Sequence, residues 1–220
     1  MITQELSHKP DFQPGSAHFL DRREPWVIPS GQKKTGGASM KDTLIARLEE
    51  GNLRWQRRQD EQTALRRRTA AEGQQPYAIV IACSDSRVIP EQLFDAGLGE
   101  LFVIRVAGNV LDRHQLGSIE YAAGHLHCRL ILMLGHTGCG AVGAALSGGG
   151  DGFIQYITDE ILLAVGEEKD PVLACERNVR RGVEILRREF REHPEIPTEK
   201  LEIRGAVYDI ESGEVRWLEG

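Results

Sequence analysis

The chain has 220 residues, 40% of them apolar and 27% charged, with a formal net charge of −6. That is enough for one large domain with a substantial core, and the balance excludes global disorder. With no long basic tract, nucleic acid and anionic membrane surfaces are excluded as main partners. A small neutral substrate, which needs no electrostatic steering, is compatible with this charge.

Residues 1–39 keep no period of 2 or 3.6 and carry Pro10, Pro14, Pro25, Pro29 and Gly36-Gly37, so an irregular N-terminal arm is expected. Its apolar residues, among them Phe12, Phe19 and Trp26, suit docking on its own domain or on a neighbouring subunit. The arm lacks the basic-then-apolar layout of a secretory signal, and no apolar run nears the ~20 residues of a membrane span. The expected compartment is the cytoplasm, with recruitment to a larger assembly through the arm left open.

A single α/β domain is expected over residues 40–220. From Met40 the pattern is helical, with Leu44, Ile45, Leu48, Leu53 and Trp55 among many charges. Gly51-Asn52 interrupts it, leaving one long helix or two short ones. The run Ala78–Ala82 is too apolar for one exposed face, as expected of a buried parallel strand. A short helix with Pro90 in its first turn is expected over 88–95, then a strand over 101–105. Next come a helix over 117–127, a strand over 130–134 and a helix over 138–146. After a flexible break at 147–152, helices are expected over 153–165 and 171–190. Two final strands, over 201–210 and 215–218, flank a Gly213 turn and add an antiparallel edge. Strands alternating with helices imply a mainly parallel sheet flanked by helices.

Of four cysteines, Cys128 and Cys175 fall in apolar patterns and read as buried inert thiols. The other two sit in Cys83-Ser84-Asp85-Ser86-Arg87 and Gly135-His136-Thr137-Gly138-Cys139-Gly140. Each segment directly follows an expected buried strand, and ligands bind at the carboxyl ends of such strands. Two thiolates and an imidazole suit zinc, and three protein ligands leave a fourth position for catalysis. A Cys phosphatase loop fits poorly, because three residues separate Cys83 from Arg87 and Asp85 would repel phosphate. Redox chemistry would call for Cys-x-x-Cys, which is absent.

Zinc with two thiolates and a neutral histidine is formally neutral, so its water is less acidified than on three histidines. Asp85 and Arg87, two apart, are spaced to pair, with Arg87 holding Asp85 ionised as an acceptor. Three roles stay open for Asp85: orienting the nucleophile, a purely structural ion pair, or the fourth zinc position.

These two motifs resemble those of the β-carbonic anhydrases, Cys-x-Asp-x-Arg and His-x-x-Cys. The likeness runs from about Met40 to Leu218, through Glu100–Arg105, Ala107-Gly108-Asn109, Ser118–Ala122 and Gly140-Ala141-Val142. It implies a carbonate dehydratase: reversible hydration of CO2 to bicarbonate and a proton by zinc-bound hydroxide oriented by the Asp85–Arg87 dyad. It further implies one Zn2+ per subunit on Cys83, His136 and Cys139, and a homodimer or higher even oligomer with sites near the subunit interface. Carried over by position, Gln74 matches a glutamine that helps bind substrate, and Phe102, Ala107 and Tyr121 match positions lining an apolar substrate pocket. A subgroup with a noncatalytic bicarbonate site has Trp where this chain has Val80, so an open zinc position without that regulation is implied. Val106 departs from the usual Asn. Hydrolysis of carbonyl sulfide or carbon disulfide on the same scaffold is the alternative within the class, and a zinc-stabilised scaffold without turnover the alternative outside it. His114 reads first as a surface loop histidine, with a proton shuttle as the alternative.

Overall fold

The computed structural model describes residues 40–58, 60–191, 193, 196 and 201–219. The arm expected over 1–39 lies outside them. By contacts the chain divides into Met1–Arg54 and Trp55–Gly220. In the first unit the described residues form most of helix α1, Met40–Arg57. That helix runs unbroken through Gly51-Asn52 and is not interrupted there.

The second unit is built on a five-stranded sheet: β1 Ala78–Ala82, β2 Leu101–Arg105, β3 Leu130–His136, β4 Glu202–Tyr208 and β5 Val215–Leu218. Strand order is β2-β1-β3-β4-β5, with the first four parallel and β5 antiparallel on β4. The expected sheet, antiparallel edge included, is therefore present. Register follows burial: Ile79 and Ile81 of β1 pair laterally with Ile131 and Met133 of β3 and are all sealed from solvent. Each such side chain contributes about 1.5–3 kcal/mol.

The helices are α2 Glu61–Glu72, α3 Pro90–Leu93, α4 Arg113–Gly124, α5 Gly140–Leu146, α6 Ile154–Val165 and α7 Pro171–Glu189, with a 3-10 turn at Ala107–Asn109. α4 begins four residues earlier than its apolar pattern suggests. Asp112 and Gln115 close a capping box there, Asp112 accepting from the His114 N–H at 2.7 Å and donating its own N–H to Gln115 Oε1 at 2.9 Å. α7 opens on Asp170, which accepts from the Val172 and Leu173 N–H groups, with Pro171 at its first position. Its buried stripe Ala174, Cys175, Asn178, Val179, Gly182, Val183 and Leu186 recurs at helical spacing against β3 and β4. One sheet face thus packs on α4 and α7, and the other on the α3 segment through Val88, Leu93 and Phe94.

The chain leaves β1 for β2 on one side and crosses back to β3 on the other. The topological switch point therefore lies between the carboxyl ends of β1 and β3, where open α/β sheets bind ligands. No helix among the described residues is long and apolar enough to cross a membrane.

Candidate metal centre

Cys83 is the first residue after β1, His136 the last residue of β3, and Cys139 the N-cap of α5. β3 is two residues longer than expected, because Gly135 and His136 continue its ladder opposite Val207 and Tyr208 of β4. His136 is thus held by a strand rather than a loop. The switch point brings the three side chains together, with all ligand atoms within 4.8 Å of one another and all three residues buried. Bonds of about 2.0–2.3 Å let one zinc ion share such a group.

The donor chemistry fits a dication. His136 Nδ1 lies 2.9 Å from the Thr137 carbonyl, which can only accept, so Nδ1 carries the proton and Nε2 keeps the lone pair. That Nε2 is buried and makes no hydrogen bond. A buried nitrogen lone pair facing two sulfurs is a metal ligand's arrangement. Cys83 Sγ accepts from the Asp85 N–H at 3.4 Å and the Gly108 N–H at 3.3 Å. Hydrogen bonding from Cys139, with the nearby His136 ring and these amides, outweighs burial and holds the Cys83 thiol down to about 4. The same contact pushes Cys139 up, since a second negative charge beside the first is opposed. Burial lowers His136, but contact with Cys83 raises it on balance. Two adjacent thiols with one easily lost proton are stabilised together only when a cation neutralises both.

Beside this group, Asp85 and Arg87 form a bidentate pair. Arg87 Nε donates to Oδ1 at 3.0 Å, Nη2 to Oδ2 at 2.7 Å, and the Arg87 main-chain N–H to Oδ1 at 3.0 Å. These bonds from Arg87 hold the Asp85 carboxyl well below the usual carboxylate range. Asp85 is therefore an anion with both oxygens engaged by Arg87. Arg105, at the end of β2, ties the loop down by donating to the Cys83 carbonyl at 3.0 Å and the Asp85 carbonyl at 2.6 Å. At Val106 the side chain makes no such bond, but its backbone continues the β1–β2 ladder, pairing with Ala82 and Ser84.

The pocket positions divide. Ala107 adjoins Gly108, whose N–H reaches Cys83, and so lies beside the ligands. Gln74 is exposed and precedes β1, so about 17 Å of strand separates it from Cys83. Phe102 sits in the amino half of β2, with its ring 6.3 Å from that of Tyr121, which is itself 45% exposed on α4. Within one chain these three are not brought to the ligands. His114 is exposed in the first turn of α4, next to its capping Asp112. Val80 is buried in β1.

Sequence reasoning did not find Arg105, Gly108 and Asn178, which reach the site through main-chain groups. Arg105 and Gly108 fall within the family-like segments Glu100–Arg105 and Ala107-Gly108-Asn109, without a role assigned, and Asn178 carried no signal. The Gly108 φ of +65° is the left-handed region, and a Cβ there would stand 2.7 Å from Ile161 Cδ1.

Fold and site together define a class: a mixed α/β protein with a buried Cys-His-Cys ligand group at its switch point, flanked by a carboxylate–guanidinium pair. The family model for carbonic anhydrase matches residues 78–215. Carbonic anhydrase 2 of Mycobacterium tuberculosis is 45% identical over 119 residues, 52% of this chain and 58% of that protein. The chain thus spans under two thirds of that relative's length. The carbonic anhydrase of Pseudomonas aeruginosa is 34% identical over 189 residues, 78% of this chain and 86% of that one. Among solved structures, a β-carbonic anhydrase of Aspergillus fumigatus superposes with TM-score 0.68 at 27% identity, covering 81% of this chain and 91% of that one. One of two tetrameric β-carbonic anhydrases of Sordaria macrospora does so equally, covering 81% and 98%. This chain belongs to the β-class carbonic anhydrases.

Proposed function

We propose that the protein catalyses the reversible hydration of CO2 to bicarbonate and a proton, with one zinc ion per chain held by Cys83, His136 and Cys139. The observation that carries this is the Cys-His-Cys group standing beside an Asp85 whose two oxygens are both bound by Arg87. Zinc, when bound, supplies the Lewis acidity that lets water act as a nucleophile near neutral pH. Asp85, an acceptor with no proton to give, takes the O–H of that nucleophile and leaves a lone pair turned toward the substrate. Arg87 fixes the direction in which Asp85 accepts. Val142, Ala145, Ile161 and Val165, buried in one apolar cluster with the two cysteines, make the surroundings of the ligands poor in hydrogen-bonding groups, which supports a substrate with little to hydrogen-bond.

The positions of Gln74, Phe102 and Tyr121 support a further element of the reading. They serve the site of a second copy, in a dimer or larger even oligomer. A neighbour of 27% identity is described as tetrameric.

Metal analysis with stopped-flow CO2 hydration tests the proposal, with carbonyl sulfide turnover run in parallel. One zinc per chain and rapid hydration are expected. Stoichiometric zinc with no hydration above pH 8 would overturn it, and turnover of carbonyl sulfide alone would reassign the substrate.

A further inference from the structure

The face of α7 turned toward the metal group carries two polar side chains one turn apart, and neither touches a ligand atom. Cys175 is 3% exposed, and its thiol donates to the His136 carbonyl at 3.1 Å. Asn178 is 6% exposed, and its Nδ2 donates to the Gly108 carbonyl at 2.8 Å. Gly108 in turn donates its N–H to Cys83 Sγ. The helix comes this close because Gly135 has no side chain: a Cβ there would stand 2.5 Å from Val179 Cγ2 and 3.0 Å from Cys175 Sγ.

We infer that α7 is a rear brace for the metal centre, with Asn178 and Cys175 as positioning residues that set Cys83 through Gly108 and His136 through its carbonyl. Gly108 stands in a left-handed turn, where its two flanking peptide planes can rotate unless both are held. Asn178 holds the carbonyl on one side, and the N–H on the other is thereby aimed at sulfur. An N–H on a thiolate withdraws charge from it, so Asn178 adjusts how strongly Cys83 donates to a metal. Cys175 acts on orientation alone, since it grips the backbone of His136 behind the ring. Both roles are invisible to a search for ligand spacing, because each passes through a main-chain group.

This inference rests on the zinc reading above, and the experiment separates the two. Cobalt(II) replaces zinc, because its d–d bands report ligand geometry and its sulfur-to-metal charge-transfer band reports thiolate donation. Asn178→Leu, close in size, removes the donor. Val183→Ala, a truncation on the same buried stripe with no bond to the site, is the packing control. Cys175→Ala loses the donor that Cys175→Ser retains. Expected for Asn178→Leu is a 10- to 100-fold loss of metal affinity with a displaced charge-transfer band. In the chelated protein, faster exchange of the Gly108 amide is expected as well. Val183→Ala lowers the melting temperature but moves none of these, and Cys175→Ser restores the d–d spectrum that Cys175→Ala alters. Equal affinity, spectrum and amide exchange in Asn178→Leu and Val183→Ala would overturn the brace. Failure of the unsubstituted protein to take up cobalt would count against the metal reading instead, while the Gly108 exchange still decides the brace.

Discussion

Replacing Arg87 with alanine asks whether the guanidinium keeps Asp85 charged or keeps it pointed. Asp85 accepts three hydrogen bonds from Arg87, two from the side chain and one from the main-chain N–H. Arg87→Ala removes two of the three and the positive charge, but the main-chain bond survives any substitution. The Asp85 carboxyl, now held well below its usual range chiefly by the side-chain bonds, then rises toward the ordinary value of about 3.9. An ordinary aspartate is still only about 0.1% protonated at pH 7, so the variant's Asp85 remains an anion there. For a depressed carboxylate the linked stability is present above the ordinary value and lost as pH falls through the folded one. The change in protonation, and with it the pH dependence, is therefore confined to acid solution, while the variant loses the linked stability at every pH above that range. What the variant loses at neutral pH is direction: a carboxylate pinned at both oxygens becomes one pinned at a single oxygen. Misplacing a catalytic group by about 1 Å costs on the order of 100-fold in rate. Stopped-flow CO2 hydration should show kcat down about 100-fold by the same factor at pH 7 and at pH 9, with zinc content unchanged. Arg87→Lys, which keeps the charge but not the fork, should recover only part of the loss. Activity that returns as pH rises from 7 to 9 would refute the reasoning, because it would mean Asp85 had become protonated.

Three further outcomes follow from other parts of the molecule. Asp170→Ala removes the cap that accepts from Val172 and Leu173 and should lower stability by about 1 kcal/mol, read from urea midpoints at fixed protein concentration. Gly135→Ala drives a methyl into Val179 and Cys175, both on the buried face of α7, and should cost about 1–3 kcal/mol by the same measurement. An unchanged midpoint would mean that α7 lies farther from β3 than described. In chelated protein, Cys83 titrates near 4 when folded and near its ordinary 9 when unfolded. Between those values the unfolded chain binds an extra proton at Cys83, so this group's contribution rises with pH and falls away as pH approaches 4. His136, raised by Cys83, opposes the slope above its ordinary value of about 6.5. Melting temperatures of chelated protein from pH 5 to about 6 should therefore show the rise, and Cys83→Ser should flatten it.

Most of the sheet was legible because buried parallel strands leave short runs of unbroken apolar residues. Ala78–Ala82, Leu101–Arg105 and Val215–Leu218 appear at their expected bounds. β3 ran further than its apolar run because its last two positions are a glycine and a buried histidine, types that carry no strand signal. α2 could be given no bounds, because its only buried residue is Thr63 and it has no apolar stripe to read. The start of α4 was written in Asp112 and Gln115, a capping pair that periodicity alone overlooks. At the site, the spacing of His136 and Cys139 was weak evidence alone, and strand ends supplied the convergence with Cys83. The residues missed, Gly108, Asn178 and Arg105, contribute through hydrogen bonds to or from backbone, and no residue-type motif encodes those.

The placement of the ligands also bears on when a metal can be loaded. His136 and Cys139 are close in the chain, but Cys83 reaches them only once β1 has paired with β3, after β2 and α4 have been routed around. Parallel pairing of that kind is a slow, non-local event in folding. A newly made chain therefore offers only a two-point grip, and the third bond is earned at assembly of the central ladder. A slip of one residue between β1 and β3 would turn His136 to the opposite face relative to β1 and away from Cys83. Tight metal retention is thus a readout of correct strand register, and a mispaired chain is marked by the ion it cannot keep.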